Sequence, residues 1–179
     1  MADERGGGRK VEINLSPNVT MQIGASNAGR GGDSGEEQQQ RQEGGNQDKV
    51  TMVINSGEYQ RVSYALSMAN AAAALDMEVH MLFTYEGLER LIKGRSDELD
   101  NITDANIRKK IKDALENGKI LKLSEDLAYA KKIGVKIYAC VTAMSIMNVK
   151  NEELIKEVDQ IMGLSQFLEL CRGSITYYV

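Results

Sequence analysis

The residues best suited to covalent chemistry are two thiols and one imidazole: Cys140, Cys171 and His80. A cysteine acts through its thiolate, so it must be reachable and must lie near positive potential or backbone N–H donors. Cys140 follows the apolar run from Val135 and precedes the helix-forming stretch Ala143 to Met147, so it sits where a strand hands over to a helix start. Thr142 is placed to cap that helix, and the free N–H groups of its first turn would favour an anion. Any anionic adduct on the sulfur would gain from the same donors. Cys171 follows Phe167, Leu168 and Leu170 near a helix end, which is a packing position. His80 stands alone and alternates with Val79 and Met81 on a strand, so it reads as a sheet residue, and no Ser/His/Asp relay can be assembled around it. Cys140, Met144 and Met147 fall at i, i+4 and i+7, a spacing that could offer soft ligands to Cu(I). Methionine more often fills irregular gaps beside a sheet, and no metal site and no cofactor are expected. Ser56 and Gly57 open a second helix whose N–H groups could hold an anion, with Arg61 as a nearby cation. That turn lacks the spaced glycines of a dinucleotide site or a P-loop.

These residues need elements to position them. Val50 to Ile54 reads as a strand, Tyr59 to Leu75 as an Ala-rich helix, and Glu78 to Phe83 as a second strand. Leu88 to Ile92 suits one helical turn, Asp104 to Glu116 a helix stopped by Asn117-Gly118, and Ser124 to Ile133 a helix capped by Ser124 and ended by Gly134. Val135 to Cys140 is a third strand, followed by helical pieces at Ala143 to Met147 and Asn151 to Val158. Gln160 to Met162 reads as a short strand, Leu164 to Cys171 as the last helix, and Ile175 to Val179 as the last strand. Strands and helices alternating at this spacing predict an α/β fold, with βαβ units forming a mostly parallel sheet of five strands and helices on both faces. Sites in such open sheets lie at the carboxyl ends of strands, which singles out Asn55 to Tyr59, Thr84 to Gly87 and Cys140 to Met144.

The chain has 179 residues, 42% hydrophobic and 27% charged, with net charge −4, as expected of one globular domain and a tail. The mild acidity argues against nucleic acid, which calls for clustered positive charge. No stretch reads as a secretion signal or a membrane span, and two cysteines do not make a disulfide scaffold. A cytoplasmic protein with reduced thiols is expected. Residues 1–48 hold ten of the seventeen glycines and no Phe, Tyr or Trp, so most of this segment is expected to be a disordered tail before a domain at 49–179. Inside the tail, Val11, Ile13 and Leu15, then Val19, Met21 and Ile23, alternate with polar residues on either side of Ser16-Pro17-Asn18. The pattern fits chance alternation, a small hairpin, or a strand that docks on a partner.

Three stretches resemble one family. "INSGEYQRVSYALSMANAAAALDMEVHMLFTYEGLERL" is similar to the opening βαβ unit of DsrE/DsrF-like proteins, with its Ser-Gly-acidic turn, Ala-rich helix and strand ending in aromatic-x-Gly-Leu. "VKIYACVTAMSIMNVKNEELI" resembles the family's cysteine strand, and "GLSQFLELCRGSITYYV" its last helix and strand. The resemblance spans roughly residues 50–179 and implies a five-stranded, flavodoxin-like fold in a homo-oligomer, a trimer or hexamer. It implies sulfane-sulfur relay on Cys140, as a persulfide or a thiosulfonate, often to a TusA-like carrier, with Ser56, Gly57, Tyr85 and Thr142 around the sulfur. Many members carry a Trp or a second cysteine near the site. Here Tyr85 stands in the aromatic position, and no cysteine lies between Val141 and Leu170.

Three functions remain open on the sequence. The first is a sulfur carrier or sulfurtransferase working through Cys140. The second is a small-ligand or nucleotide binder that uses the same strand ends, with Cys140 as wall. The third is a non-catalytic subunit that contributes only oligomer contacts.

Overall fold

A computed structural model of the chain describes residues 12–16, 19–22, 48–99 and 104–179. The expected tail at 24–48 lies outside them, apart from Asp48. Strands β1 (Glu12–Ser16) and β2 (Val19–Gln22) pair antiparallel, with Ile13 opposite Met21 and an irregularity between Asn14 and Ser16. Of the readings open for this stretch, the backbone takes the hairpin.

From Lys49 the chain builds one five-stranded parallel sheet. Its strands are β3 (Lys49–Ile54), β4 (Glu78–Phe83), β5 (Lys136–Cys140), β6 (Gln160–Met162) and β7 (Ile175–Tyr178), in the spatial order β6-β5-β4-β3-β7. Every neighbouring pair is parallel. The first four strands step in one direction across the sheet, and β7 returns to the far side of β3. This is a strand order of 4-3-2-1-5, distinct from the 2-1-3-4-5 of flavodoxin itself.

Right-handed crossovers follow from that order. Helices α1 (Tyr59–Ala74) and α3 (Leu123–Lys132) connect strands that step the same way, so they share one face and pack on each other. Their contact is built from small and medium side chains: Ala65, Leu66, Ala69, Leu123, Leu127 and Ala130 are all fully buried. Helix α5 (Leu164–Leu170) runs back to β7 and covers the opposite face, where Phe167 meets Tyr138 edge-on at 6.2 Å. Helices therefore lie on both faces, as the alternating pattern predicts.

Helix α2 (Ala105–Glu116) starts at Asp104, whose carboxylate accepts from Asn106 N (2.9 Å) and Ile107 N (3.2 Å). Two local expectations fail. Ser124 does not cap α3: the cap position is Lys122, and Ser124 lies inside the helix with its N–H and hydroxyl both donated to Asp97. Asn151 to Val158 is not a helix but a single 3-10 turn, Asn151–Glu153. The following chain is claimed by long-range backbone bonds instead, Lys93 N to Glu153 O (2.8 Å) and Ile155 N to Leu91 O (2.8 Å), which bridge it to the segment after β4.

Candidate functional site

Strands β3, β4 and β5 are neighbours, so the three loops at their carboxyl ends adjoin. The registers run Ile54–Phe83 and Phe83–Ala139, which puts Asn55, Thr84 and Cys140 level with one another. Cys140 shares its face of β5 with Tyr138, the face covered by α5.

Cys140 is the last residue of β5 and also the N-cap of α4 (Val141–Met147). Its backbone is extended, φ −74° and ψ 119°, and no side chain caps the helix. Sequence reasoning gave the cap to Thr142. The structure puts Thr142 at the second helical position, exposed, because the strand hands over directly to the helix with no intervening loop. The cysteine thus stands where a serine or aspartate oxygen usually receives the N–H groups of the second and third helical residues. Here those residues are Thr142 and Ala143. The thiol is well covered, with Cys140 only 5% exposed. Met144 is buried beside it and Met147 packs against the same core, as gap-filling methionines do. Among the described residues no cluster of three His, Cys, Asp or Glu could hold a metal ion.

The 3-10 helix Tyr85–Leu91 packs against both β5 and α4, the two elements that meet at Cys140. Its first residue, Tyr85, is half exposed and adopts a left-handed conformation, φ 44°. Such a conformation in a non-glycine residue persists only where the surroundings impose it. Here they do. Thr84 N donates to Ile54 O (2.9 Å), Gly87 N donates to Asn55 O (3.1 Å), and two glycines let the backbones touch. A Cβ on Gly87 would lie 2.3 Å from the Ile54 carbonyl oxygen, and one on Gly57 would lie 2.7 Å from the Glu86 carbonyl oxygen. The loops after β3 and β4 are therefore pressed together main chain to main chain.

Ser56 and Gly57 fill this interface in a different way from the one their sequence suggests. The Ser56 hydroxyl accepts from Glu58 N at 3.2 Å. The N–H groups of Asn55 and Ser56 both donate to the Val179 carbonyl oxygen, at 2.7 and 3.1 Å, so β7 takes two of the donors that could have faced an anion. The Gly57 carbonyl is turned inward to Arg90. Arg61 is committed to Glu58 by an ion pair of 2.8 Å on the surface.

Arg90 is the residue that sequence reasoning missed. It reads as one polar position in "GLERL", yet it is 1% exposed and sits over the Tyr59 ring, 5.9 Å from its centroid. The signal was weak: a cation flanked within three residues by Leu88 and Leu91, both fully buried.

Away from the site, His80 is buried and its two ring nitrogens are hydrogen-bonded to Tyr138 Oη (2.9 Å) and Glu78 Oε1 (2.7 Å). Burial raises the Tyr138 phenol above its usual range. Tyr59 receives the Leu123 N–H at 3.2 Å, and burial pushes its phenol up to about 12. Cys171 caps the end of α5, half-buried, beside the turn that leads into β7. Leu170 O there accepts from Lys49, and Ser174 bonds Thr51, so Cys171 belongs to the amino end of the sheet. Cys140 lies at the carboxyl end. At about 3.3 Å per residue, most of the length of β3 separates the two levels, beyond the reach of a disulfide. A groove of about 260 Å³ lined by Leu154, Ile155, Val158, Asp159 and Ile161 runs beside β6 and includes none of the candidate site residues.

The sequence pattern of the DsrE/DsrF/DrsH-like family matches residues 46–108 and 98–175. The chain belongs to this family. It is similar to the uncharacterized protein YrkE of Bacillus subtilis (strain 168), 24% identical over 154 residues, covering 73% of this chain and 96% of that protein. Two solved structures share the fold. One is the protein of unknown function MTH1491 from Methanobacterium thermoautotrophicum, with a TM-score of 0.52 and 15% identity over 74% of this chain and 99% of that one. The other is the ychN protein from E. coli, with a TM-score of 0.50 and 10% identity over 74% and 97%. At these identities the two structures speak for the DsrE-like architecture alone. Among the described residues no helix is long and apolar enough to cross a membrane.

Proposed function

We propose that this DsrE-like protein relays sulfane sulfur on Cys140 in the cytoplasm. The observation that carries the reading is the place of Cys140 at the N-cap of α4. A thiolate there would accept from the N–H groups of Thr142 and Ala143, as capping oxygens do, and so would the terminal sulfur or the oxygens of an adduct. Two loops joined main chain to main chain hold the surroundings of the thiol in place.

The chemistry needs no bound cofactor. With tetrathionate, the thiolate attacks an inner sulfur; the central S–S bond breaks, thiosulfate leaves, and Cys140 becomes an S-thiosulfonate. With polysulfide, the same attack leaves a persulfide on Cys140 and releases the polysulfide shortened by one sulfur. Both steps conserve charge and require no added oxidant. The distance to Cys171 argues against resolution within the chain, so the adduct waits for an external thiol, and a TusA-like carrier is the partner proposed. Val141, which follows Cys140, and Tyr85, which opens the loop after β4, are each about half exposed and are apolar residues that a partner could touch. The protein acts as a homo-oligomer in this reading.

Intact-mass measurement after tetrathionate or polysulfide tests the proposal on wild type, Cys140→Ser and Cys171→Ser. Loading is expected on wild type and Cys171→Ser and is lost in Cys140→Ser. If loading survives Cys140→Ser and vanishes in Cys171→Ser, the wrong thiol has been assigned. If no protein loads with either donor, the carrier reading falls and a ligand-binding role takes its place.

A further inference from the structure

We propose that Arg90 is the positioning residue of this site: its guanidinium pins the turn that covers Cys140 and so sets how fast the thiol can be reached. The argument begins with burial. A guanidinium stays charged, and burying it demands that its N–H groups find acceptors. Arg90 Nε donates to Gly57 O at 2.8 Å, and an Nη2 N–H reaches the same oxygen. From Nη1 it donates to Glu98 O (2.6 Å) and Arg95 O (3.3 Å). Its own carbonyl receives the Ser96 hydroxyl at 2.8 Å. One side chain therefore ties together the turn after β3, the 3-10 helix after β4 in which it resides, and the segment 95–98.

These contacts fasten the 3-10 helix to the turn after β3 and to the segment 95–98. Gly57, held by Arg90, presses on the Glu86 backbone, and Glu86 follows the left-handed Tyr85. The 3-10 helix carrying Arg90 packs on β5 and α4, the two elements that meet at Cys140. The geometry calls for a planar fork, because two N–H groups converge on one carbonyl while a third points to another. A lysine supplies a single point of donation and cannot span both.

The test measures alkylation of Cys140 by iodoacetamide in the full chain, in a Cys171→Ser background so that one thiol reports. It needs no sulfur donor, so its result stands apart from the carrier reading, on which only the choice of Cys140 rests. Arg90→Met is expected to react about tenfold faster than the parent or more, and Arg90→Lys at a rate between the two. Leu127→Ala, a cavity in α3 away from this turn, controls for general loosening and is expected to stay within about twofold. A folded Arg90→Met that reacts at the parent rate overturns the proposal, as does a Leu127→Ala that matches its acceleration. Should Arg90→Met fail to fold, Arg90→Lys decides: a rise of about threefold supports the role, and an unchanged rate overturns it.

Discussion

The residues that matter most here gain their properties from position. Cys140 is a strand end and a helix cap at once, and both facts are legible in the sequence: an apolar run, a cysteine, then a helix-forming stretch. Arg90 and Asp126 are not legible, because nothing in a sequence says that one charged side chain will be buried and another partly covered between two helices. Asp126 sits between α3 and α1 with its carboxylate accepting from Asn70 at 3.0 Å, and burial pushes its pKa up to about 6, with the Asn70 bond pulling the other way. The folded state therefore holds a proton on Asp126 more tightly than the unfolded chain, where the carboxyl titrates at 3.8. Its contribution to stability is present below about pH 4 and is lost as pH rises through about 6. The loss is on the order of 1–2 kcal/mol once partial solvent screening is allowed for. Asp126→Asn should remove that dependence. Calorimetric melting at pH 4.5 and pH 7.5 should show the variant gaining on wild type at the higher pH. An unchanged difference between the two proteins across that range would contradict the assignment.

At the scale of elements, the long periodic segments followed from their residues. The Ala-rich α1 and the β-branched β3 sit where pattern alone puts them, within a residue or two. The misses come from contacts and junctions that no local pattern announces. Asn151 to Val158 has helical composition, but beyond Glu153 it forms a bridge and a turn, held by partners near Leu91 and Lys93, some sixty residues earlier in the chain. Thr142 looked like a cap because threonine caps helices well, yet the strand ran straight into the helix and left the cap to Cys140. The meeting of the loops after β3 and β4 was half visible: Ser56-Gly57 and Glu86-Gly87 read as turns, but not as turns that touch. Gly87→Ala tests that contact. The added methyl would meet the Ile54 carbonyl, and relief requires moving backbone, so a destabilisation of about 1–3 kcal/mol is expected by chemical denaturation. A stability equal to wild type would mean that the two turns are free to part.

For the whole molecule, the sheet order sets what can meet what. The return of the last strand to the side of β3 puts Val179 against Asn55 and Ser56 and leaves β7 as an exposed edge. That edge carries Ile175 and Tyr178, 55% and 73% exposed, and no charged residue to discourage pairing. Assembly through it into a trimer or a larger ring is the expected outcome. Light scattering should report it at micromolar concentration, with Tyr178→Lys lowering the mass; a strict monomer for wild type would contradict it. The two thiols lie at opposite ends of the parallel sheet, Cys140 at the end of β5 and Cys171 before the start of β7, so sulfur loaded on one is expected to stay there in a folded chain. That separation makes the central claim directly measurable. Wild type, with both cysteines present, is treated with tetrathionate, digested without reductant and mapped by tandem mass spectrometry. The account predicts an S-thiosulfonate on the peptide that carries Cys140 and an unmodified Cys171. Modification on Cys171 with Cys140 untouched would contradict it.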